Sequence, residues 1–382
     1  MSLTVGIIGL PQSGKTSLFN ALTSAGAQVS GYPTSTVQAN RAVIAVPDAR
    51  LGRLAEIYHP KKTTPTTVEF VDVAGIGQGT DETRREGLSA EFLGHIRNAD
   101  ALAIVLRCFT SAQVPAAPDV LRDLDDLLAE LALTDLATVE KRIESTARKA
   151  KSGDKKLLEE IEVLRGLRDH LSEGQPASSI AVTSQTEPLL RELFLLTAKP
   201  RLYVANVSED ALGQAAELLE HAAPAETAAG EAGQVARVAG RARAEGATIV
   251  AVSARLEAEL RELPPEDAAD YLATLGLPPL GTERVIQAGY TTLSLISFLT
   301  AGEDEVRAWT VTRGSKAPVA AGKIHTDFER GFIRAEVVAY DDLMANGGSM
   351  KQAREHGKVR LEGKDYIVQD GDIIEFRFNV SR

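Results

Sequence analysis

Residues Gly9-Leu10-Pro11-Gln12-Ser13-Gly14-Lys15-Thr16 spell the pattern G-x-x-x-x-G-K-[ST]. They follow the apolar run Val5-Gly6-Ile7-Ile8 and precede Ser17-Leu18-Phe19-Asn20-Ala21-Leu22. A strand, a glycine-containing loop and a helix in that order give the pattern its physical meaning. The glycines let the backbone wrap a triphosphate, and several N–H groups converge at a helix N-terminus that favours anions. Lys15 is expected to reach the β- and γ-phosphates, and the Thr16 hydroxyl to ligate Mg²⁺. A chance match in a glycine-containing turn would lack the flanking strand and helix.

The rest of the chain is consistent with that start. Apolar runs at 3–8, 67–71, 101–106, 201–205 and Thr248–Val252 alternate with helical segments. That alternation predicts an α/β fold, a P-loop NTPase with a doubly wound, mostly parallel sheet. Between the third and fourth strands, 119–196 is rich in Leu, Glu, Lys and Arg. Leu121, Leu124, Leu127, Leu128 and Leu131 recur at helical spacing, as do apolar residues over 157–171. We expect an inserted, coiled-coil-like helical arm; the plainer alternative is a few covering helices. The Ala/Glu/Gly-rich stretch 211–246 reads as a helix with a loop, without a strong apolar face. After Pro278-Pro279, β-type runs at 293–299, 306–312, 332–338, 366–368 and 373–378 predict a small separate β-rich domain.

Bulk properties narrow the setting. The 382 residues carry a net charge of −11, which argues against a general nucleic-acid or membrane coat. A single cysteine, Cys108, excludes an intramolecular disulfide framework and suits a reducing cytosol. Beside an apolar run it reads as an inert core thiol. Neither a signal peptide nor a membrane-spanning run is apparent, so a cytoplasmic location is expected.

Further motifs refine the chemistry. Asp72-Val73-Ala74-Gly75 follows the second strand, where a carboxylate would face Mg²⁺ and a glycine N–H the γ-phosphate. Thr36 lies in a switch-like loop and would complete the metal shell. After the fourth strand comes Asn206-Val207-Ser208-Glu209, where GTPases carry Asn-Lys-x-Asp. In those enzymes the Asp accepts from the N1–H and exocyclic amine of guanine, donors that adenine does not offer on that edge. The longer Glu209 displaces the carboxylate, and Val207 removes a cationic stem near the base. Ser253-Ala254-Arg255 fits the companion loop whose N–H groups face the base. Ile76 stands where a water-orienting Gln is common and cannot hold water. Gln78 reads as a solvated loop residue. Slow hydrolysis follows, with no catalytic residue assigned.

The residues together resemble the YchF/Obg-like ATPase family, a branch of the translation-factor-related P-loop class that prefers ATP. The resemblance spans essentially the whole chain. It rests on the phosphate loop, Tyr32-Pro33 and Thr36, Phe70 to Ile76, Arg107-Cys108-Phe109, Asn206 to Glu209 and Ser253-Ala254-Arg255. It rests above all on the tail, with Val306-Arg307-Ala308-Trp309-Thr310, Ile324 to Glu329 and Tyr366 to Asp372. The family implies an Obg-type G domain over 1–115 and 197–280, a helical arm over 116–196, a TGS domain over 281–382, and association with ribosomes. It implies that Gln12, Ser13, Gly14, Lys15, Thr16 and Ser17 hold phosphates, and that Thr16, Thr36 and Asp72 serve Mg²⁺. Asn206, Val207, Glu209, Ser253 and Ala254 would meet the base, Val207 through its backbone. Three departures stand out: Gln12 replaces the usual Asn linked to potassium-assisted hydrolysis, the loop after Phe109 lacks the usual His, and Lys-Thr-Ser replaces Lys-Ser-Thr.

His325 beside Asp327 reads as a packing or partner-surface residue. Arg307, Arg313, Lys316, Lys323, Arg330 and Arg334 form either a face for rRNA phosphates or a plain solvated surface. The expected partners are ATP and the ribosome, with no membrane or DNA, and a monomer rather than an obligate oligomer. Two other readings stay open. One is a GTPase or dual-specificity enzyme, if Asn206 and Glu209 still pair guanine. The other is a nucleotide-gated ribosome-binding module without significant hydrolysis.

Overall fold

The computed structural model describes residues 3–23, 28–29, 40–73, 90–110, 117–150, 154–221 and 229–379. Its strands, in chain order, are β1 Thr4–Ile8, β2 Gln28–Val29, β3 Asn40–Ala45, β4 Lys62–Thr64, β5 Thr67–Asp72, β6 Ala101–Arg107 and β7 Arg201–Asn206. They continue with β8 Thr248–Val252, β9 Leu295–Ala301, β10 Glu305–Thr312, β11 Phe332–Ala339, β12 Arg360–Glu362 and β13 Asp372–Phe378. The chain divides into two compact units, one of residues 1–44 and 69–289, the other of 45–68 and 290–382.

The first unit holds a sheet of order β2-β3-β5-β1-β6-β7-β8. β5, β1, β6, β7 and β8 run parallel, and β2 pairs antiparallel with β3. The five expected parallel strands are all present. β1 is fully flanked, so Val5, Ile7 and Ile8 are buried, as expected of a parallel strand covered on both faces. The chain leaves β1 for opposite sides of the sheet, through β5 and then β6. That makes the carboxyl end of β1 a switch point, where open α/β sheets bind ligands.

The long helix Val120–Lys149 is both things that the sequence left open. In its first half Val120, Leu124, Leu127 and Leu131 join the core of the sheet with Cys108, Leu196 and Val235. In its second half Val139 packs with Leu164, Leu167 and Leu171 of the helix Lys155–Ser172. The two form a hairpin, clamped by Arg142 to Glu160 at 2.9 Å. At the junction the buried Asp135 accepts from the Leu196 and Thr197 amides, each at 2.8 Å, and from the Thr197 hydroxyl at 2.7 Å. The arm is thereby tied back to the chain that leaves it. The alanine-rich stretch forms two helices, Glu209–Glu220 and Gly230–Glu245. The second buries Val235, Ala236, Val238, Ala239 and Ala242. Its apolar face is built from small residues, which composition hides.

The second unit is a sheet of order β12-β11-β13-β9-β10-β4 with helices on both faces. Alternation along β9 sends Ile296 and Phe298 to one face, where the alanine side of the helix Ala317–Ile324 covers them. Leu299 meets Leu51 and Leu54 of the helix Ala49–Tyr58 on the other. So 45–68, read from sequence as part of the nucleotide domain, is built into this unit. The division at 289/290 also falls later than the expected 280/281. The segment 366–368 is no strand: Ile367 makes an isolated bridge to Lys316, and the paired strand is β12. No described helix is long and apolar enough to cross a membrane.

Candidate functional site

The loop after β1 is shaped by crowding. A Cβ on Gly9 would lie 2.5 Å from the Val105 carbonyl oxygen, and one on Gly14, at φ +95°, would collide with the Asn206 side-chain nitrogen. Gln12 adopts φ +61°, an uncommon conformation for a residue with a side chain. Lys15 opens the helix Lys15–Thr23 and is 7% exposed. Its ammonium donates to the Gly9 carbonyl at 2.9 Å and the Leu10 carbonyl at 2.8 Å. The head group is therefore held inside its own loop. Burial lowers its pKa, with the Asp72 charge opposing.

Asp72, the last residue of β5, is 6% exposed. Burial raises its pKa, while Lys15 and a hydrogen bond with the Thr16 hydroxyl pull it down. A buried carboxylate beside a hydroxyl, short of compensating charge, is a fitting pair of hard oxygen donors for Mg²⁺. That ion usually takes one or two carboxylates and completes its shell with water and phosphate oxygens. Among the described residues no group of three or more His, Cys, Asp or Glu could hold a metal, so the ion would depend on the nucleotide for its remaining ligands. Thr36, Ile76, Gln78 and the loop 111–116 lie outside the described residues.

A cavity of about 920 Å³ opens along the carboxyl ends of β1, β7 and β8, lined among others by Gln12, Gly14, Ser17, Asn206, Val207, Glu209, Ser253 and Ala254. Its size is that of a small-molecule cleft. At its centre Asn206, 4% exposed, donates to the Ser13 carbonyl at 2.9 Å and accepts from the Ala254 amide at 3.0 Å. Both ends of the amide are engaged, so Asn206 ties the phosphate loop to the 253–255 loop. Ser13 takes part through this carbonyl; its hydroxyl is buried and has no hydrogen-bond partner among the described residues. It lines a separate small cavity with Leu10, Arg107 and Asp123. Val207 is 3% exposed and its N–H donates to the Val252 carbonyl at 2.9 Å. Glu209 is exposed, opens the helix Glu209–Glu220 and accepts from the Tyr271 hydroxyl at 3.0 Å.

Sequence reasoning missed Tyr271, on the helix Pro265–Thr274, and Glu231, which accepts from the Ser208 amide at 2.7 Å. Neither belongs to a motif; each reaches the site through the fold. Cys108 is fully buried and its thiol is pushed up to about 12, first by burial and then by Glu231, in keeping with an inert core thiol. His325 caps the helix Thr326–Arg330 by accepting from the Asp327 amide at 3.2 Å. Of the six basic residues, Arg307 lies over the Trp309 ring at 3.9 Å and Lys316 pairs with Asp365 at 2.7 Å.

Comparisons with known proteins agree with this geometry. Residues 4–152 match the family model MMR_HSR1, described as a 50S ribosome-binding GTPase. Residues 295–379 match YchF-GTPase_C, described as a protein of unknown function (DUF933). The chain is 46% identical to the ribosome-binding ATPase YchF of Bacillus subtilis and 42% identical to that of Escherichia coli O157:H7, with all of each chain covered. The solved YchF GTPase of Schizosaccharomyces pombe superposes with a TM-score of 0.80 at 31% identity, covering 98% of both chains. With the phosphate loop, the parallel sheet and full-length relatives in agreement, the chain belongs to the YchF family of P-loop nucleotide-binding proteins.

Proposed function

We propose that this protein is a Mg²⁺-dependent ATPase of slow turnover that acts as a nucleotide-dependent switch on ribosomes. The observation that carries the choice of base is the state of the base-side acceptors. Asn206 is spent on holding two loops together, and Glu209 is engaged by Tyr271. A guanine would have to compete with that hydroxyl for the Glu209 carboxylate to pair its N1–H and amine. An adenine makes no such demand; its amine can meet the Val207 carbonyl, since the Val207 N–H already serves Val252.

At the other end, Lys15 has two N–H groups tied to loop carbonyls among the described residues and a third for a phosphate oxygen. The backbone N–H groups at the start of the helix Lys15–Thr23 would surround the phosphates. Thr16 and Asp72, with Thr36, would hold Mg²⁺, which when bound neutralises charge on the β- and γ-phosphates. Ile76 cannot orient the attacking water, which supports slow hydrolysis unless a partner supplies that group. In this reading the nucleotide-binding part of the first unit, 1–44 and 69–289 apart from the arm, is the switch. The arm (116–196) and the TGS-bearing second unit (45–68 and 290–382) would meet the ribosome, in the cytoplasm.

The ribosome enters through the names of the relatives, which are called ribosome-binding ATPases. The fission-yeast structure is called a GTPase, so the base is the point to test. Equilibrium binding of ATP and GTP analogues with Mg²⁺ should favour ATP by about tenfold, or roughly 1.4 kcal/mol. Equal or tighter GTP binding would move the assignment to a GTPase or dual-specificity enzyme. Single-turnover hydrolysis no faster than that of Lys15→Ala, with ribosomes present, would leave a nucleotide-gated binding module.

A further inference from the structure

We infer that Tyr271 is a specificity-determining residue, whose hydroxyl withholds the Glu209 carboxylate from guanine. The inference rests on the ATP-preferring reading above and names the residue that enforces it. Besides Asp210, two carboxylates, Glu209 and Glu259, line the base side of the cavity. Either could accept from the guanine edge if it were free. Each is engaged instead by a donor of this chain: Glu209 by the Tyr271 hydroxyl at 3.0 Å, and Glu259 by the Arg255 guanidinium at 2.9 Å.

The two locks differ in origin. Arg255 and Glu259 sit one turn apart on the helix Ala254–Leu260 and re-form locally. Tyr271 comes from another helix, 62 positions along the chain from Glu209. It is 41% exposed, so its ring contributes little to the core and its hydroxyl can be removed without cutting into packing. The charge on the acceptor strengthens the contact relative to one between neutral groups. The hydroxyl occupies Oε1, one of the two carboxylate oxygens that the guanine N1–H and amine would pair together, whereas adenine makes no demand on either. Discrimination is thus achieved by masking an acceptor as well as by lengthening Asp to Glu.

The test is Tyr271→Phe, which keeps the ring and removes the donor. ATP and GTP analogue affinities would be measured with Mg²⁺ for the wild type, Tyr271→Phe, Glu209→Ala and the double variant, alongside the melting temperature of each. We expect Tyr271→Phe to bind GTP about five- to tenfold more tightly, with ATP affinity within about twofold. That gain should vanish in the double variant, since it needs the Glu209 carboxylate. A wild type that prefers ATP, with the same ATP-to-GTP ratio in Tyr271→Phe, would overturn the role of Tyr271 and leave the ATPase reading standing. A gain that survives Glu209→Ala would also overturn it. A wild type that prefers GTP would overturn both.

Discussion

The two ends of the cavity are built in opposite ways. On the proposed reading the phosphate end comes from consecutive residues, 9–17, and would work through backbone N–H groups, one ammonium and a hydroxyl. The base end is assembled from Asn206 to Glu209, the 253–255 loop and Tyr271, which approach only in the folded chain. Every nucleoside triphosphate presents the same phosphates, so the first end supplies affinity without choice. The second would supply choice through which acceptors are already taken. On the proposed function affinity and specificity are therefore separable, with Asn206 as the joint between them.

Lys15→Ala should produce the largest effect and test that separation. Removing a charged donor from a phosphoryl-transfer site typically lowers turnover by about a hundred- to a thousandfold. Hydrolysis should fall by at least that, and ATP and GTP analogue binding should weaken by the same factor. The ratio between the two nucleotides should stay at its wild-type value, read from paired binding isotherms. A ratio that shifts with Lys15 would mean that the phosphate loop also sets the choice of base.

Asn206→Ala comes next and should breach the separation, because it removes the joint. The Ser13 carbonyl and the Ala254 amide both lose their partner in a buried place. Each such loss is worth about 1–3 kcal/mol, so unfolding free energy should drop by about 2–6 kcal/mol. Both nucleotides should bind more weakly, and the ATP-to-GTP ratio should drift toward one as the 253–255 loop loosens. Retained selectivity in a destabilised Asn206→Ala would show that the base loop is held by other means.

The same contrast explains what could be read from the sequence. Residues 9–17 were legible because the chemistry is local: strand, loop and helix succeed one another without interruption. The parallel sheet was legible for a similar reason, since doubly buried strands are near-continuous apolar runs. Tyr271 was not legible, because an exposed tyrosine in a polar helix acquires meaning only when Glu209 is brought to it. The membership of 45–68 in the second unit was hidden in the same way: Leu51 and Leu54 show an apolar helix face but not which sheet it covers. The helix Val120–Lys149 carries one apolar stripe that serves the sheet core in its first half and the hairpin in its second. Spacing records the stripe and says nothing of its partner. Ile367, within an apolar triplet, joins only a single bridge because the neighbouring turn ends the pairing.

Beneath the joint lies Cys108, whose N–H donates to the Asn206 carbonyl at 2.9 Å. It should give the smallest effect, and one visible mainly at alkaline pH. An ordinary thiol ionises near pH 8.5, whereas burial holds this one up to about 12. The folded chain keeps the proton while the unfolded chain releases it. The stabilising contribution is therefore full below about pH 8.5 and is lost as pH rises toward the folded value. At pH 10 the loss should be about 2 kcal/mol, from roughly 1.5 pH units at 1.36 kcal/mol each. Urea unfolding of the wild type and of Cys108→Ala, at pH 7.5 and pH 10, isolates this contribution. The wild type should lose about 2 kcal/mol more than the variant between the two pH values, and its thiol should resist iodoacetamide until the chain unfolds. Equal losses in the two proteins, or rapid labelling of the folded chain, would mean that solvent reaches the floor of the site. The Asn206 joint would then rest on a mobile support rather than a packed one.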